Sequence, residues 1–286
     1  MRELKGKTAV VTGAGSGIGR ELAVACAGEG MSLALADIDE KGMQETSLEI
    51  AKLGGRSESF RCDVSKAADV DLLAAHAWDR FGAVHLVFNN AGVAVGGPAW
   101  TATLEDWQWT LGINLMGVVH GVRSFIPRML VQGGECHMVN TASVAGLVDI
   151  AGSAVYCVSK HGVVALSECL FQDLRVAKSS IGVSVLCPAF VNTGIGESDR
   201  NRPADLAATN PLGAPYREAV REALKHGRLS AADVAREALE AVKAKRFYIL
   251  THGKIKGAIE ARMHDILEER SPTDVSRPIP AAGGAR

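Results

Sequence analysis

Short apolar runs alternate with helical patterns along almost the whole chain, and this alternation limits the fold more than any other sequence feature. Seven runs have the length and β-branched content of buried strands, at residues 8–12, 32–36, 57–61, 84–88, 135–141, 182–186 and 247–250. Helical patterns lie between them, at residues 20–29, 39–53, 66–81, 103–132, 153–177 and 230–244. The alternation predicts an α/β fold, a doubly wound parallel sheet of about seven strands with helices on both faces. Right-handed crossovers favour the strand order 3-2-1-4-5-6, extended by a seventh strand.

Functional residues in such a sheet are expected beyond the carboxyl ends of the strands. The residues found at those ends are Gly13, Asp37, Asp63, Asn89, Ser143 and Pro188. The sequence therefore directs attention to one edge of the predicted sheet.

The glycine-rich turn after the first strand is the first of these strand ends. Its glycines, Gly13, Gly17 and Gly19, are spaced G-x-x-x-G-x-G, which is neither G-x-G-x-x-G nor a P-loop, since no Lys-Ser/Thr follows. Glycines permit the turn and let a pyrophosphate approach the backbone at a helix N-terminus. A glycine-rich turn alone is weak evidence, but its place between strand and helix predicts a nucleotide, with Ser16 and Ile18 also in contact.

Asp37 ends the second predicted strand, where an acidic side chain can accept hydrogen bonds from the adenosine ribose. A 2′-phosphate at about 4 Å from this carboxylate would be repelled by roughly 4 kcal/mol at an effective dielectric of about 20. Neither Ser16 nor Ile38 supplies a compensating cation. Asp37 therefore predicts NAD rather than NADP. The alternative is that Asp37 only caps the turn before Asp39.

Tyr156 and Lys160 are separated by three residues within the helical pattern at 153–177. On a helix they lie one turn apart on one face, roughly 6 Å along the axis. A lysine ammonium lowers the pKa of a neighbouring phenol from its usual value of about 10. Such a phenol can exchange a proton with an alcohol oxygen. The pair alone is weak evidence, because most such pairs are surface neighbours.

Composition excludes several classes of protein. The 286 residues are 47% hydrophobic and 22% charged, with a net charge of −1, so a large core is expected and a nucleic-acid partner is not. Six scattered cysteines without C-x-x-C spacing indicate a reducing compartment. The histidines show no metal-ligand spacing. No signal peptide and no apolar run of about 18 residues is present. We expect a cytoplasmic protein without a metal or a membrane partner.

Three segments depart from the alternating pattern. Residues 1–270 are expected to form one domain, in which the polar insertion 189–229 acts as a substrate lid and 251–270 as a C-terminal extension. The insertion carries Pro203, Pro211 and Pro215, and we expect it to be mobile without ligand. Residues 271–286, rich in Pro, Ala and Gly, are expected to be a flexible tail.

Taken together, residues 5–250 resemble the short-chain dehydrogenase/reductase family, which has a Rossmann fold. The matching motifs, in order, are Thr12-Gly-Ala-Gly-Ser-Gly-Ile-Gly19, Asp63-Val64, Asn89-Asn-Ala-Gly92, Asn114, Ser143, Tyr156-x-x-x-Lys160 and Pro188 through Thr193. One position departs from the family pattern: Ala189 follows Pro188, where the family usually has glycine.

The resemblance implies a catalytic tetrad of Asn114, Ser143, Tyr156 and Lys160. Tyr156 would be the general acid/base, Ser143 would hold the substrate oxygen, and Lys160 would lower the tyrosine pKa and bind the nicotinamide ribose. Asn114 would hold a water, although alone it could be a polar residue in a helix kink. The implied NAD-binding residues are Gly13, Ser16, Gly17, Ile18, Gly19, Asp37, Ile38, Asp63, Val64, Asn90, Ala91, Gly92, Tyr156, Lys160, Pro188, Val191 and Thr193.

These patterns predict an NAD(H)-dependent oxidoreductase that interconverts a secondary alcohol and a ketone. The substrate side is expected to include Ser143 and to be apolar, without a fixed charge, lined by Val93, Ala94, Val95, Val144, Ala145, Val148, Ala189 and Phe190. A hydrophobic or aromatic small molecule is therefore expected. The alternatives are an NADH-dependent ketoacyl-type reductase and a non-catalytic NAD-binding sensor. The resemblance also implies a homodimer or homotetramer, paired through the long helix and the Tyr156 helix.

Overall fold

A parallel sheet forms the centre of the protein in our computed structural model, which describes residues 1–207 and 210–274. In this part of the chain seven strands pair in the order β3-β2-β1-β4-β5-β6-β7, and every pairing is parallel. The strands are β1 (Thr8–Thr12), β2 (Ser32–Asp37), β3 (Ser57–Arg61), β4 (Leu86–Asn89), β5 (His137–Thr141), β6 (Gly182–Leu186) and β7 (Tyr248–Ile249). The predicted doubly wound topology is confirmed.

Helices cover both faces of the sheet. They are α1 (Gly17–Gly28), α2 (Glu40–Lys52), α3 (Ala67–Phe81), α4 (Leu104–Leu111), α5 (Gly117–Gln132), α6 (Ala154–Val176), α7 (Ala214–Lys225), α8 (Ala231–Lys243) and α9 (Ile255–Leu267). Helices α1, α2 and α8 pack in one core cluster, and α3, α5 and α6 pack in a second. Strand β1 shows why its sequence is a continuous apolar run: Ala9 and Val11 face the first cluster, while Val10 faces the second.

Side-chain caps begin several helices where the sequence predicted them. Asp39 accepts a hydrogen bond from the Gly42 amide at 3.0 Å, and Ser230 forms a capping box with Asp233 ahead of α8. Helix α1 differs from the prediction, since it begins at Gly17 rather than at residue 20. Two glycines of the turn therefore belong to the first helical turn itself.

The long helix predicted over residues 103–132 contains an irregularity. Helix α4 passes into a π-helical turn at Gly112–Met116 and then into α5. Asn114 lies in this turn and is buried. A π-turn inserts one extra residue per turn and often marks a functional position in a helix.

The insertion at residues 189–229 contains an element that the sequence interpretation missed, the charged helix α7. The two ends of the insertion lie side by side, because Val191 and Leu229 form an isolated parallel bridge. The C-terminal extension contains α9, whose Arg262 lies 3.3 Å from the carboxylate of Asp149. Most of the predicted flexible tail, residues 275–286, lies outside the described residues.

Helix α6 is long and apolar enough to cross a membrane by length and composition, with a mean hydropathy of 1.2. The sequence interpretation, based on unbroken apolar runs, did not identify it. In the fold 44% of its apolar window is buried, and Val163 and Leu170 pack in the core. Its hydropathy therefore fits a core helix beside the sheet.

Candidate active site

The glycine turn after β1 is packed against the loop that follows β4. Gly13 has a φ of +68°, and a Cβ on it would lie 2.9 Å from the Ala91 Cα. A Cβ on Gly19 would collide with the Gly13 carbonyl oxygen. Both positions therefore require glycine for close backbone approach, as the sequence predicted.

The N-terminus of α1 opens into a large cavity of about 260 Å³. Ser16 occupies the N-cap position, but its side chain makes no capping bond, and Ser16, Gly17 and Ile18 all line the cavity. Unsatisfied first-turn amides and the positive end of the helix dipole suit an anionic group. Arg20 is not a competing ligand here, because its guanidinium donates to the Gly15 carbonyl at 2.7 Å and pairs with Glu45. The turn thus fits a dinucleotide's pyrophosphate.

Asp37 lies at the end of β2, lines the cavity and makes two hydrogen bonds within the protein. Its Oδ2 accepts from the Gly15 amide at 2.8 Å, and its Oδ1 accepts from the Asp39 amide at 3.0 Å. The bond to Asp39 is the turn-capping contact that the sequence left open as an alternative. The two roles are compatible, since a carboxylate has about four lone-pair sites.

Thr12 holds the loop opposite the glycine turn, although its side chain was not among the predicted site residues. Its hydroxyl accepts from the amides of Asn90 at 2.9 Å and Ala91 at 3.1 Å, and donates to the Phe88 carbonyl. Its position as a hydroxyl-bearing residue at the end of β1 was the available sequence signal for this contact. Asp63 is likewise tied locally, accepting from the Ser65 amide and hydroxyl at 3.1 and 2.6 Å.

All of the predicted cofactor residues line this one cavity. Those that line it are Gly13, Ser16, Gly17, Ile18, Gly19, Asp37, Ile38, Asp63, Val64, Asn90, Ala91, Gly92, Tyr156, Lys160, Pro188, Val191 and Thr193. The structure therefore brings together side chains from all the strand ends between β1 and β6.

Ser143, Tyr156 and Lys160 line the far end of this cavity. Ser143 follows β5, and its hydroxyl donates to the Pro188 carbonyl at 3.3 Å. Lys160 is buried, and its ammonium donates to the Thr141 carbonyl at 2.9 Å. These contacts place an alcohol, a phenol and an ammonium on one wall of the cavity.

The pKa values of this group differ from the simple expectation. Burial raises the pKa of Tyr156 to about 12, although its hydrogen bond with Ser143 opposes that shift. Burial also lowers the pKa of Lys160 to about 8. The expected lowering of the tyrosine pKa by Lys160 is therefore wrong for this arrangement, because desolvation of the phenol dominates. Tyr156 is held in its protonated form, which suits proton donation.

Asn114 stands behind this wall and does not line the cavity. Its Oδ1 accepts from the Val93 amide at 2.8 Å, and its Nδ2 donates to the Val93 carbonyl at 2.9 Å and to Ser159 at 3.1 Å. The side chain is thus committed to fixing the loop after β4 against α6. The predicted role in holding a water stays a prediction.

The substrate side is largely apolar, as expected. The predicted residues that line it are Val93, Ala94, Val95, Val144, Ala145, Ala189 and Phe190. Val148 does not line it, since this side chain is buried elsewhere. Helix α7 adds Val220 and Leu224, which the sequence interpretation missed; two apolar residues four apart in a charged segment were the available signal.

One fixed positive charge in the cavity lining was not among the residues predicted from the sequence. Arg200, in the insertion, lines the cavity. Its Nη1 donates to the carbonyls of Gly194 at 2.6 Å and Glu197 at 3.0 Å.

Comparison with known proteins points to one family. The model of a family described as short chain dehydrogenase matches residues 7–204. A short chain dehydrogenase/reductase from Burkholderia phymatum, solved in complex with NAD, is 45% identical with a TM-score of 0.94, and the match covers 98% of this chain and 100% of that one. The "CLA biosynthesis dehydrogenase/reductase" of Lactiplantibacillus plantarum is 34% identical over 95% of this chain and 97% of its own length. The "1-deoxy-11-beta-hydroxypentalenate dehydrogenase" of Streptomyces exfoliatus is 33% identical over 98% and 97%.

Proposed function

The chain belongs to the short-chain dehydrogenase family of oxidoreductases, and we propose that it interconverts a secondary alcohol and a ketone with NAD(H) as its cofactor. One observation carries the proposal. Ser143, Tyr156 and Lys160 line the same cavity as the glycine turn of residues 13–19. A proton donor and a site for a dinucleotide thus open into one space.

The cofactor part of the proposal rests on the fit of the glycine turn and Asp37. NAD, when bound, supplies the nicotinamide carbon that takes or gives the hydride. Gly17 and Ile18 would present amides to its pyrophosphate, and Asp37 would accept from the adenosine ribose. Asp63 and Val64 would bind the adenine, and Thr193 would contact the carboxamide. The Burkholderia phymatum neighbour, solved with NAD, supports this choice.

The proton step falls to Tyr156. Its phenol, with a pKa of about 12, donates a proton to the ketone oxygen in reduction and takes the proton back from the alcohol in oxidation. Ser143 donates a hydrogen bond to the same oxygen and orients it. Lys160, charged below its pKa of about 8, would bind the nicotinamide ribose. Asn114 does not contact the substrate in this scheme; it fixes the backbone of Val93, which lines the cavity with these three residues.

The substrate that we propose is a hydrophobic or aromatic secondary alcohol. The apolar lining from Val93, Val144, Phe190 and Leu224 supports an apolar body. The relative named for hydroxypentalenate is consistent with an alcohol substrate. A ketoacyl-type reductase is a weaker candidate, because the insertion at residues 189–229 covers a pocket suited to a small molecule.

Further parts of the proposal concern organisation. We propose that residues 1–270 form one cytoplasmic domain in which residues 189–229 are the substrate lid.

We also propose a homodimer or homotetramer paired through α5 and α6. Exposed apolar side chains on these two helices, Leu130 and Val131 of α5 and Val158 of α6, support self-association. Light scattering that gives a monomer mass would exclude it.

A spectrophotometric screen tests the proposed function. The purified protein is incubated with NAD⁺ and a panel of aliphatic and aromatic secondary alcohols, and NADH absorbance is followed. We expect at least one apolar alcohol to reduce NAD⁺. Binding of NAD⁺ without turnover of any alcohol, or of the matching ketones with NADH, would favour the non-catalytic sensor instead.

A further inference from the structure

The cavity has a cation in its lining, Arg200, that the proposed chemistry does not use. The other basic side chain in the lining is Lys160, whose ammonium is bound to the Thr141 carbonyl. The acidic side chains in the lining, Asp37, Asp39 and Asp63, lie where the adenosine would bind. Each of these three carboxylates lies at or just after the end of β2 or β3, whereas Arg200 belongs to the insertion that follows β6.

Arg200 is held by two backbone carbonyls, and the segment that carries it is held by a neighbouring ion pair. Its Nη1 is fixed by the carbonyls of Gly194 and Glu197. Two residues further on, Arg202 donates to the carboxylate of Asp106 at 2.7 Å and stacks on the Trp109 ring at 4.9 Å. Both members of that ion pair are buried, with side-chain exposures of 9% and 8%. The backbone around Arg200 is thus anchored to α4.

The start of this segment, at residues 193–194, packs against the glycine turn. The Thr193 Cβ lies 3.2 Å from the position that a Cβ on Gly17 would take, and Gly194 follows it directly. Nη1 of Arg200 is 2.6 Å from the Gly194 carbonyl, so the guanidinium is bonded to the residue next to the one that contacts Gly17. Its Nη2 and Nε have no carboxylate partner within 4.0 Å among residues 1–207 and 210–274.

We propose that Arg200 binds the pyrophosphate of the dinucleotide, so that cofactor binding holds the insertion against the glycine turn. The amides of α1 would contact the pyrophosphate from one side and the guanidinium from the other. A guanidinium suits phosphate oxygens because it donates in a planar fork. The proposal rests on the proposed NAD site and adds a ligand from outside the turn. A carboxylate on the substrate is the other anion that could meet Arg200.

Calorimetric binding tests the proposal without turnover. The ligands are NAD⁺, ADP-ribose and adenosine, and the variants are Arg200→Gln and Arg200→Lys. We expect Arg200→Gln to raise the Kd for NAD⁺ and ADP-ribose by about tenfold, the usual effect of one charge-assisted hydrogen bond. Arg200→Lys keeps the charge and should recover part of the affinity. Adenosine, which has no phosphate, should bind both variants and the wild type equally.

Arg221→Gln is the matched control, since Arg221 is an arginine of the same insertion that pairs with Glu197 and does not line the cavity. It should leave all three Kd values unchanged. Unchanged ADP-ribose binding by Arg200→Gln, or a wild type that does not bind ADP-ribose, overturns the proposal. If instead only the KM of a carboxylate-bearing alcohol rises, Arg200 serves the substrate and the proposal is wrong. A wild type that binds NAD⁺ but turns over no alcohol refutes the proposed function alone.

Discussion

Lys160 and Tyr156 lie one helical turn apart on α6, yet the lysine Nζ is 5.7 Å from the centre of the tyrosine ring and donates to the Thr141 carbonyl at 2.9 Å. The ammonium is therefore secured by the end of β5 and not by the phenol. Burial of both groups moves both pKa values toward the neutral form. Burying the charged form of Lys160 therefore destabilises the folded state.

Replacing Lys160 with methionine should reveal that cost. The lysine pKa falls from 10.5 to about 8 on folding, which corresponds to about 3 kcal/mol against the folded state at pH 7. We expect Lys160→Met to be more stable than the wild type at pH 7 and to lose activity.

The stability difference between Lys160→Met and the wild type should depend on pH. Between pH 8 and 10.5 the unfolded wild type binds more protons than the folded one, so wild-type stability rises with pH and the advantage of Lys160→Met shrinks. Denaturant unfolding across this range measures it. Exposed Lys52→Met is the control and should differ little from the wild type at any pH. An advantage that is absent at pH 7, or that grows with pH, contradicts the account.

Gly19→Ala tests the close packing of the glycine turn. The new Cβ would collide with the Gly13 carbonyl, so we expect a destabilisation of about 3 kcal/mol and loss of NAD binding. Gly28→Ala, at the other end of α1, meets no atom within 4 Å and should stabilise the protein by about 0.5 kcal/mol. Thermal unfolding of both variants is the measurement, and equal effects at the two positions would show that the turn is not packed as described.

Arg202→Met tests the anchor of the insertion. It leaves the Asp106 carboxylate buried without its partner, which typically costs about 3 kcal/mol. The double variant with Asp106→Asn should recover part of that loss, because the uncompensated charge is gone. Asp199→Asn removes only the exposed carboxylate 3.8 Å from the same guanidinium, and should change stability by less than about 0.5 kcal/mol. An Arg202→Met protein with wild-type stability would mean that the pair does not anchor the segment.

The glycine turn could be predicted from the sequence because the physics there is local. A β-branched run followed by glycines dictates a strand, a turn and a helix, and the five residues of β1 were bounded correctly for this reason. Asn114 shows the limit. Its helical position was readable, but its bonds to Val93 depend on a π-turn that no sequence period indicates.

The insertion at residues 189–229 was the least predictable part. Its prolines and charges suggested a loop, yet residues 214–225 form α7, which packs only Leu224 as a fully buried side chain. The place of Arg200 in the cavity lining was also not predicted, because the segment around it is anchored by the long-range ion pair between Arg202 and Asp106. Likewise, the raised pKa of Tyr156 follows from burial, which the spacing to Lys160 does not report.

Asp37→Ser tests the choice of cofactor. The wild type should prefer NAD(H) over NADP(H) by more than tenfold in kcat/KM, since solvent and salt could halve the repulsion of roughly 4 kcal/mol. The variant should move toward NADP(H), and should also lose stability because the amides of Gly15 and Asp39 lose an acceptor.

Asp37→Asn separates the two effects, since the amide oxygen can still accept one of those bonds while the charge is gone. Steady-state kinetics with both cofactors decide the matter. If the preference does not move in either variant, Asp37 serves only the turn.

The most direct test of the central claim is hydride transfer in Tyr156→Phe with the best alcohol from the screen. The ring is kept and only the hydroxyl is lost, so folding and the Kd for NAD⁺ should match the wild type. Single-turnover reduction of NAD⁺ should fall by at least about a hundredfold, the lower range for a general acid/base. Retention of more than about a tenth of the wild-type rate would mean that another group carries the proton, and the account of this site would be wrong.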